Sequence, residues 1–230
     1  LNSLYPHLIM QYNISPETMV GFDPNRVNVE NMLNQVSDLS DLENRTITPN
    51  GAQFRTDKRG FLPELMEQMY GDRVKFKKYA LDARRRYEET KDEKYLKEIS
   101  KYHNIQMARK IALNSCYGAI GNQYFRYYDE KMATAVTTSG QLSIRWIENK
   151  VNEYLNKLLE SKDVDYVIAS DTDSLYITFD KLVNSVFKEG ADTNDVITYL
   201  DKVAKKKLEP FMAKSYQALA EVTNAYDQKM

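Results

Sequence analysis

Cysteine is nearly absent: Cys116 is the only one in 230 residues, which excludes an internal disulfide and suits a reducing compartment. Histidine is almost as scarce, and His7 and His103, the only two, both read as incidental. No apolar run approaches the length of a membrane span, so no membrane role is expected, and no signal peptide opens the sequence. Internal repeats and low-complexity tracts are missing too, which sets aside repeat arrays and biased, unfolded chains. A net charge of −1 singles out no partner for the chain as a whole.

What is present is an ordinary globular composition, 42% apolar and 28% charged, with enough length for one large domain or two small ones. The charge is unevenly spread. Residues 73–110 hold 13 Lys and Arg against 6 Asp and Glu, an excess of +7, so the remainder carries −8. Such a segment attracts phosphates, or it is a solvated helical pair whose charges keep it in solution.

Punctuation and periodicity give the organisation. Residues 1–20 read as a strand end and turn, then a short helix broken near Ser15-Pro16. Residues 21–60 read as rich in loops, with a hairpin around Asn50-Gly51. From 62 to about 90 the only Gly or Pro besides Pro63 is Gly71, and helix formers dominate; a polar turn at "ETKDEK" separates this helix from a second one ending near 118. Residues 129–160 form an amphipathic helix with Ala133, Val136, Ile144, Ile147, Val151 and Leu155 on one face. A strand, turn and strand occupy 164–179, with Val167, Ala169, Leu175 and Ile177 alternating, and helices around 193–207 and 209–226 complete the sequence.

Two constellations carry chemistry. In "YVIASDTDSLYITF" Asp171 and Asp173 stand one residue apart at a strand end. Like charges that close repel unless something cationic lies between them, so the pair either points into water or holds a metal. On the two central helices, Arg73 and Lys77 share a face at i and i+4, and Lys110, Asn114 and Tyr117 share one at i, i+4 and i+7. Lys77 lies about 20 Å from the turn and Lys110 about 26 Å at 1.5 Å per residue, so the faces meet if the helices pack antiparallel. Three cations and an amide there make a triphosphate clamp, or else an exposed face that touches only water.

"LNSLYP" at 1–6, "KIALNSCYG" at 110–118 and "SDTDS" at 170–174 resemble, in order, motifs A, B and C of family B DNA polymerases. "TPNGAQFRTDKRGFLPE" and "NQYFRYYDEKMATAVTTSGQ" resemble the branch from large tailed bacteriophages. The resemblance implies an α+β fold: a palm of antiparallel sheet with helices on one face, from 1–60 and 119–230, and a protruding helical-hairpin fingers subdomain at 61–118. It implies template-directed deoxynucleotidyl transfer to a primer 3′ hydroxyl by two Mg²⁺ ions, with Mn²⁺ as a substitute. Asp171 and Asp173 are then catalytic metal ligands, joined by the main-chain carbonyl of Leu1. Arg73, Lys77, Lys110 and Asn114 bind the incoming triphosphate, with the N–H groups of Ser3 and Leu4. Tyr5 packs under the sugar, where a ring leaves no room for a 2′ hydroxyl, and Tyr117 lies against the nascent base pair. The implied partners are primer–template DNA, deoxynucleoside triphosphates and the exonuclease and thumb parts of the same polymerase, in the cytoplasm of a bacterial host.

The sequence departs from the family pattern in three places. The motif A aspartate is expected immediately before Leu1, His7 stands where Ser is usual, and Ser170 replaces a common Gly. These residues by themselves are therefore expected to be inactive, as an excised piece or one half of a split polymerase. The alternative is a non-catalytic nucleotide- or nucleic-acid-binding remnant.

Overall fold

The computed structural model describes residues 3–188 and 190–230. A first helix, α1 (Leu4–Gln11), stops where Asn13 turns left-handed at φ 54°. Asn13 is buried, and its amide joins three stretches of chain. Nδ2 donates to the carbonyls of Arg55 and Lys58, while Oδ1 accepts from the backbone N–H of Gly60. Next come β1 (Met19–Phe22), α2 (Val29–Leu33), β2 (Arg45–Ile47) and β3 (Ala52–Arg55), the strands forming an antiparallel sheet with β3 in the middle. The turn expected at Asn50-Gly51 joins β2 to β3. Gly51 has φ 85°, and a Cβ there would lie 1.9 Å from the Asp23 carbonyl oxygen, so only glycine fits.

Two long helices follow, α3 (Phe61–Thr90) and α4 (Lys94–Ile120). The start of α3 is capped from a distance: Glu17 accepts from the N–H of Phe61 and Ser15 Oγ from that of Leu62. Ser15 comes so close that a Cβ on Gly60 would meet its Cβ at 2.5 Å. The helices run antiparallel, with Arg109 paired to Asp72 and the Tyr102 ring lying against Phe76 and Tyr79. Beyond Met66, Ala83 is the one buried residue of α3, so the outer half of the pair packs on itself and leaves the body of the molecule.

The spine is α5 (Glu130–Leu158), which passes through two cores. At its first half Ser139, Gly140 and Ser143 are small and buried, and Gly140 faces Leu4, Tyr5 and Leu8 of α1. Its second half meets β4 (Val167–Asp171) and β5 (Ser174–Ile177), then α6 (Asp180–Val186), α7 (Thr193–Val203) and α8 (Glu209–Val222) complete the fold. Trp146 Nε1 donates to the Ser215 carbonyl at 2.8 Å, and the Tyr154 ring stacks on Phe211 at 4.5 Å, seating α8 on α5. Between α7 and α8 a π-helical turn covers Ala204–Leu208, just before Pro210, whose missing N–H interrupts the regular ladder.

The α+β class matches the sequence, with two corrections. Among the described residues the 164–179 hairpin is a two-stranded ribbon separate from the three-stranded sheet, so the antiparallel sheet expected of the palm is in two parts. Ala169 is exposed, as are its neighbours Ile168, Ser170 and Asp171, because the end of the ribbon is covered on neither face, and the pairing register shifts between Val167 and Ala169. Residues 21–60 are mostly loop and turn, as read, and the strands among them are three or four residues long, too short for periodicity to reveal.

Candidate functional site

An open cavity of about 470 Å³ lies where the start of α1, the inner parts of α3 and α4, and the β4–β5 turn converge. Ser3, Leu4, Tyr5 and Pro6 form its floor; Arg73, Lys110, Asn114 and Tyr117 form the helical wall; Thr172 and Asp173 close the far side. Eight of the residues singled out from sequence therefore share one space. Three do not. Lys77 stands one turn further out on α3, exposed and beyond the wall; Asp171 is exposed at the end of β4, outside the lining; Leu1 lies outside the described residues. Pro6 and Thr172 are wall residues that the sequence reading passed over; no spacing signal marks them, since they border the cavity only through their neighbours.

Each wall is set locally. Ser3 precedes α1 in a left-handed conformation, φ 74°, and its hydroxyl does not cap the helix. Instead Ser3 Oγ accepts from Arg73 Nη1 at 2.9 Å, joining floor to wall. Arg73 Nε is buried with no hydrogen-bond partner among the described residues, a donor left over beside the cavity. Lys110 makes no ion pair among the described residues either, so the wall carries uncompensated positive charge. The rings of Tyr5 and Tyr117 meet at 4.6 Å, tilted by 55°, at one end of the space.

The acidic side comes from a tight turn. Asp171 pairs with Ser174 across the ribbon, and Thr172 between them takes φ 41°. A β-branched residue in the left-handed region costs about 1–3 kcal/mol, a strain that the closing pair holds in place. Thr172 Oγ1 donates to Asp171 Oδ1 at 3.0 Å, and the N–H of Asp173 donates to the Asp171 carbonyl. Behind the turn, burial pushes the Tyr216 hydroxyl up to about 12, and the charge of Asp173 adds to that shift.

Two further groups border the site. His7, read as incidental from sequence, is not: Nδ1 donates to the Ser3 carbonyl at 2.8 Å and the ring meets Tyr70 of α3 edge-on at 4.6 Å. Burial lowers its pKa below the ordinary 6.5; the Ser3 carbonyl opposes that, and the charges of Lys229 and Arg73 reinforce it. Cys116 is half-buried on α4, and burial pushes its thiol up to about 11, so it is no nucleophile.

Carboxylate oxygens are the donors that a hard divalent cation takes, so Asp171 and Asp173 fit Mg²⁺ in kind. Among the described residues, though, no group of three or more His, Cys, Asp and Glu could hold a metal. The aspartates thus supply part of a ligand set.

The sequence profile of DNA polymerase family B matches residues 1–211. The chain is 33% identical over 269 aligned residues to the DNA-directed DNA polymerase of Escherichia phage RB69, an alignment that covers 97% of this chain and 29% of that one. With the DNA-directed DNA polymerase of Enterobacteria phage T4 the identity is 33% over 276 aligned residues, covering 100% and 30%. With DNA polymerase 1 of Pyrococcus abyssi it is 31% over 190, covering 82% and 20%. The chain thus spans 29% to 30% of the length of the two phage relatives. The matched span includes the floor, the helical wall and the acidic turn, and the chain belongs to DNA polymerase family B.

Proposed function

We propose that these residues form the nucleotide-binding and catalytic centre of a DNA-directed DNA polymerase. Residues 61–118 would be its fingers, and 1–60 with 119–230 its palm. The observation that carries the reading is the cavity in which Arg73 and Lys110 face Asp173 across about 470 Å³. Cations opposite a carboxylate suit a polyphosphate whose far side is bridged by a divalent ion.

In this reading Lys110 acts as a point charge on the phosphates, and Arg73 offers its remaining donors beside Ser3. Lys77, one turn further out, adds long-range attraction. The left-handed Ser3 aims the N–H groups of Ser3 and Leu4 toward the phosphates, and Asn114 supplies an amide. Tyr5 packs under the sugar and excludes a 2′ hydroxyl, while Tyr117, in contact with Tyr5, supports the nascent base pair. Asp171 and Asp173, with the carbonyl of Leu1 and acids outside the described residues, would hold two Mg²⁺. When bound, those ions, or Mn²⁺ in their place, lower the pKa of the attacking 3′ hydroxyl and screen the leaving pyrophosphate.

The partners are then primer–template DNA, deoxynucleoside triphosphates, and exonuclease and thumb regions of one polymerase. The phage relatives make a viral replication protein in a bacterial cytoplasm the natural setting. No helix among the described residues is long and apolar enough to cross a membrane.

Primer extension tests the reading. Residues 1–230 alone should extend no primer with Mg²⁺ and all nucleotides present, because two carboxylates hold Mg²⁺ loosely. In a polymerase of full family length carrying these residues, Asp173→Ala should abolish extension while primer–template affinity stays within about threefold, since phosphate contacts elsewhere dominate binding. Robust synthesis by that variant would end the metal-ligand reading and favour the non-catalytic alternative.

A further inference from the structure

We infer that His7 is a positioning residue for the triphosphate, one that holds Ser3 in its left-handed conformation and ties that turn to α3. The inference rests on the proposed function, because the floor it positions is the one assigned to the phosphates.

A serine at φ 74° does not stay there unaided, as a left-handed conformation costs a non-glycine residue about 1 kcal/mol or more. Its hydroxyl makes no cap to the first turn of α1. The carbonyl of Ser3 instead receives two donors from one residue, the backbone N–H of His7 at 3.3 Å and the ring Nδ1 at 2.8 Å. A carbonyl only accepts, so Nδ1 carries the proton, and a neutral ring leaves Nε2 without one. Burial and the nearby charges of Lys229 and Arg73 keep the ring neutral.

The ring also packs at nearly a right angle against Tyr70, which lies three residues before Arg73 on α3. Ser3 is therefore held from both ends. Its carbonyl is bound to a ring seated on Tyr70, and its hydroxyl accepts from Arg73. Floor and wall keep one register only while both contacts persist.

The test uses residues 1–230 with three proteins: wild type, His7→Phe, which keeps a ring and removes the donor, and His7→Asn, which keeps a donor near the Nδ1 position. Thermal melting first checks that each is folded. Titration with dATP and Mg²⁺ by calorimetry should show roughly 3- to 10-fold weaker binding for His7→Phe, the range for one neutral hydrogen bond, and recovery to within about twofold for His7→Asn. Nitrogen-15 spectra of the wild-type ring should show Nδ1 protonated and Nε2 bare, a readout that needs no variant and no nucleotide. An Nε2-protonated ring, or equal dATP affinity for wild type and a folded His7→Phe, would overturn the inference and leave the proposed function standing. A wild-type chain that binds no dATP would likewise overturn the inference, while primer extension by the polymerase of full family length decides the proposed function.

Discussion

Replacing Lys110 with Ala isolates the phosphate side of the site. Lys110 is exposed on the cavity wall and makes no ion pair among the described residues, so its removal strands no buried charge. Stability should therefore stay within about 0.5 kcal/mol of wild type, as for other surface changes. Binding should respond differently. A hydrogen bond to a charged group contributes about 1.5–3 kcal/mol, and each 1.4 kcal/mol is tenfold, giving a loss of roughly 10- to 150-fold. Exposure favours the lower end, because salt screens an ammonium in contact with water over about 8 Å at physiological ionic strength. Calorimetric titration with each of the four deoxynucleoside triphosphates, at low and at physiological salt, measures the effect. The loss should be the same for all four bases, since a phosphate contact carries no base information, and should shrink as salt rises. A loss differing more than about threefold among the bases, or no loss at all, would refute the assignment.

Two further outcomes test the fold around the site. Gly51→Ala should destabilise the chain by at least about 2 kcal/mol, read by denaturant unfolding, because its φ of 85° disfavours any Cβ and the added carbon meets the Asp23 backbone. His7 should give a pH dependence of known sign. Its folded pKa lies below the ordinary 6.5, so the unfolded chain binds more protons in the window between the two values. Stability should fall as the pH drops through 6.5 toward the folded value, and His7→Asn should lack that component when unfolding is measured across the window.

The parts of the fold that were legible in the sequence are those that obey local rules over many turns. The 30 residues of α3 and the 27 of α4 contain few breakers, and the periodicity of α5 put Val136, Ile147, Val151 and Leu155 on the face that is buried. Trp146, Ser139 and Ser143 are buried as well; what buries them is contact with α1 and α8, which no window along α5 contains. In the site, Arg73, Lys110, Asn114 and Tyr117 could be grouped because helix geometry fixes which residues share a face. That Ser3 and Asp173 border the same space could be stated only through the family resemblance, as 170 positions separate them. His7 was missed for a related reason. Its ring has meaning only once Tyr70 arrives from α3, and nothing in "LYPHL" announces that meeting.

The length of the helical pair has a mechanical consequence. At 1.5 Å per residue, α3 reaches about 45 Å from its start, where Asn13, Ser15 and Glu17 grip it, while Arg73 lies only about 18 Å along. Such a rod works as a lever pivoted at its gripped end. A swing of about 5° would carry the tip through roughly 4 Å but displace Arg73 by only about 1.6 Å. The contacts that must stay in register are thus on the short arm, where jostling of the far end is scaled down before it reaches them. The same ratio run backwards turns a small adjustment beside the pivot, such as a shift of Ser3 against Arg73, into a large sweep of the arginine- and lysine-rich tip.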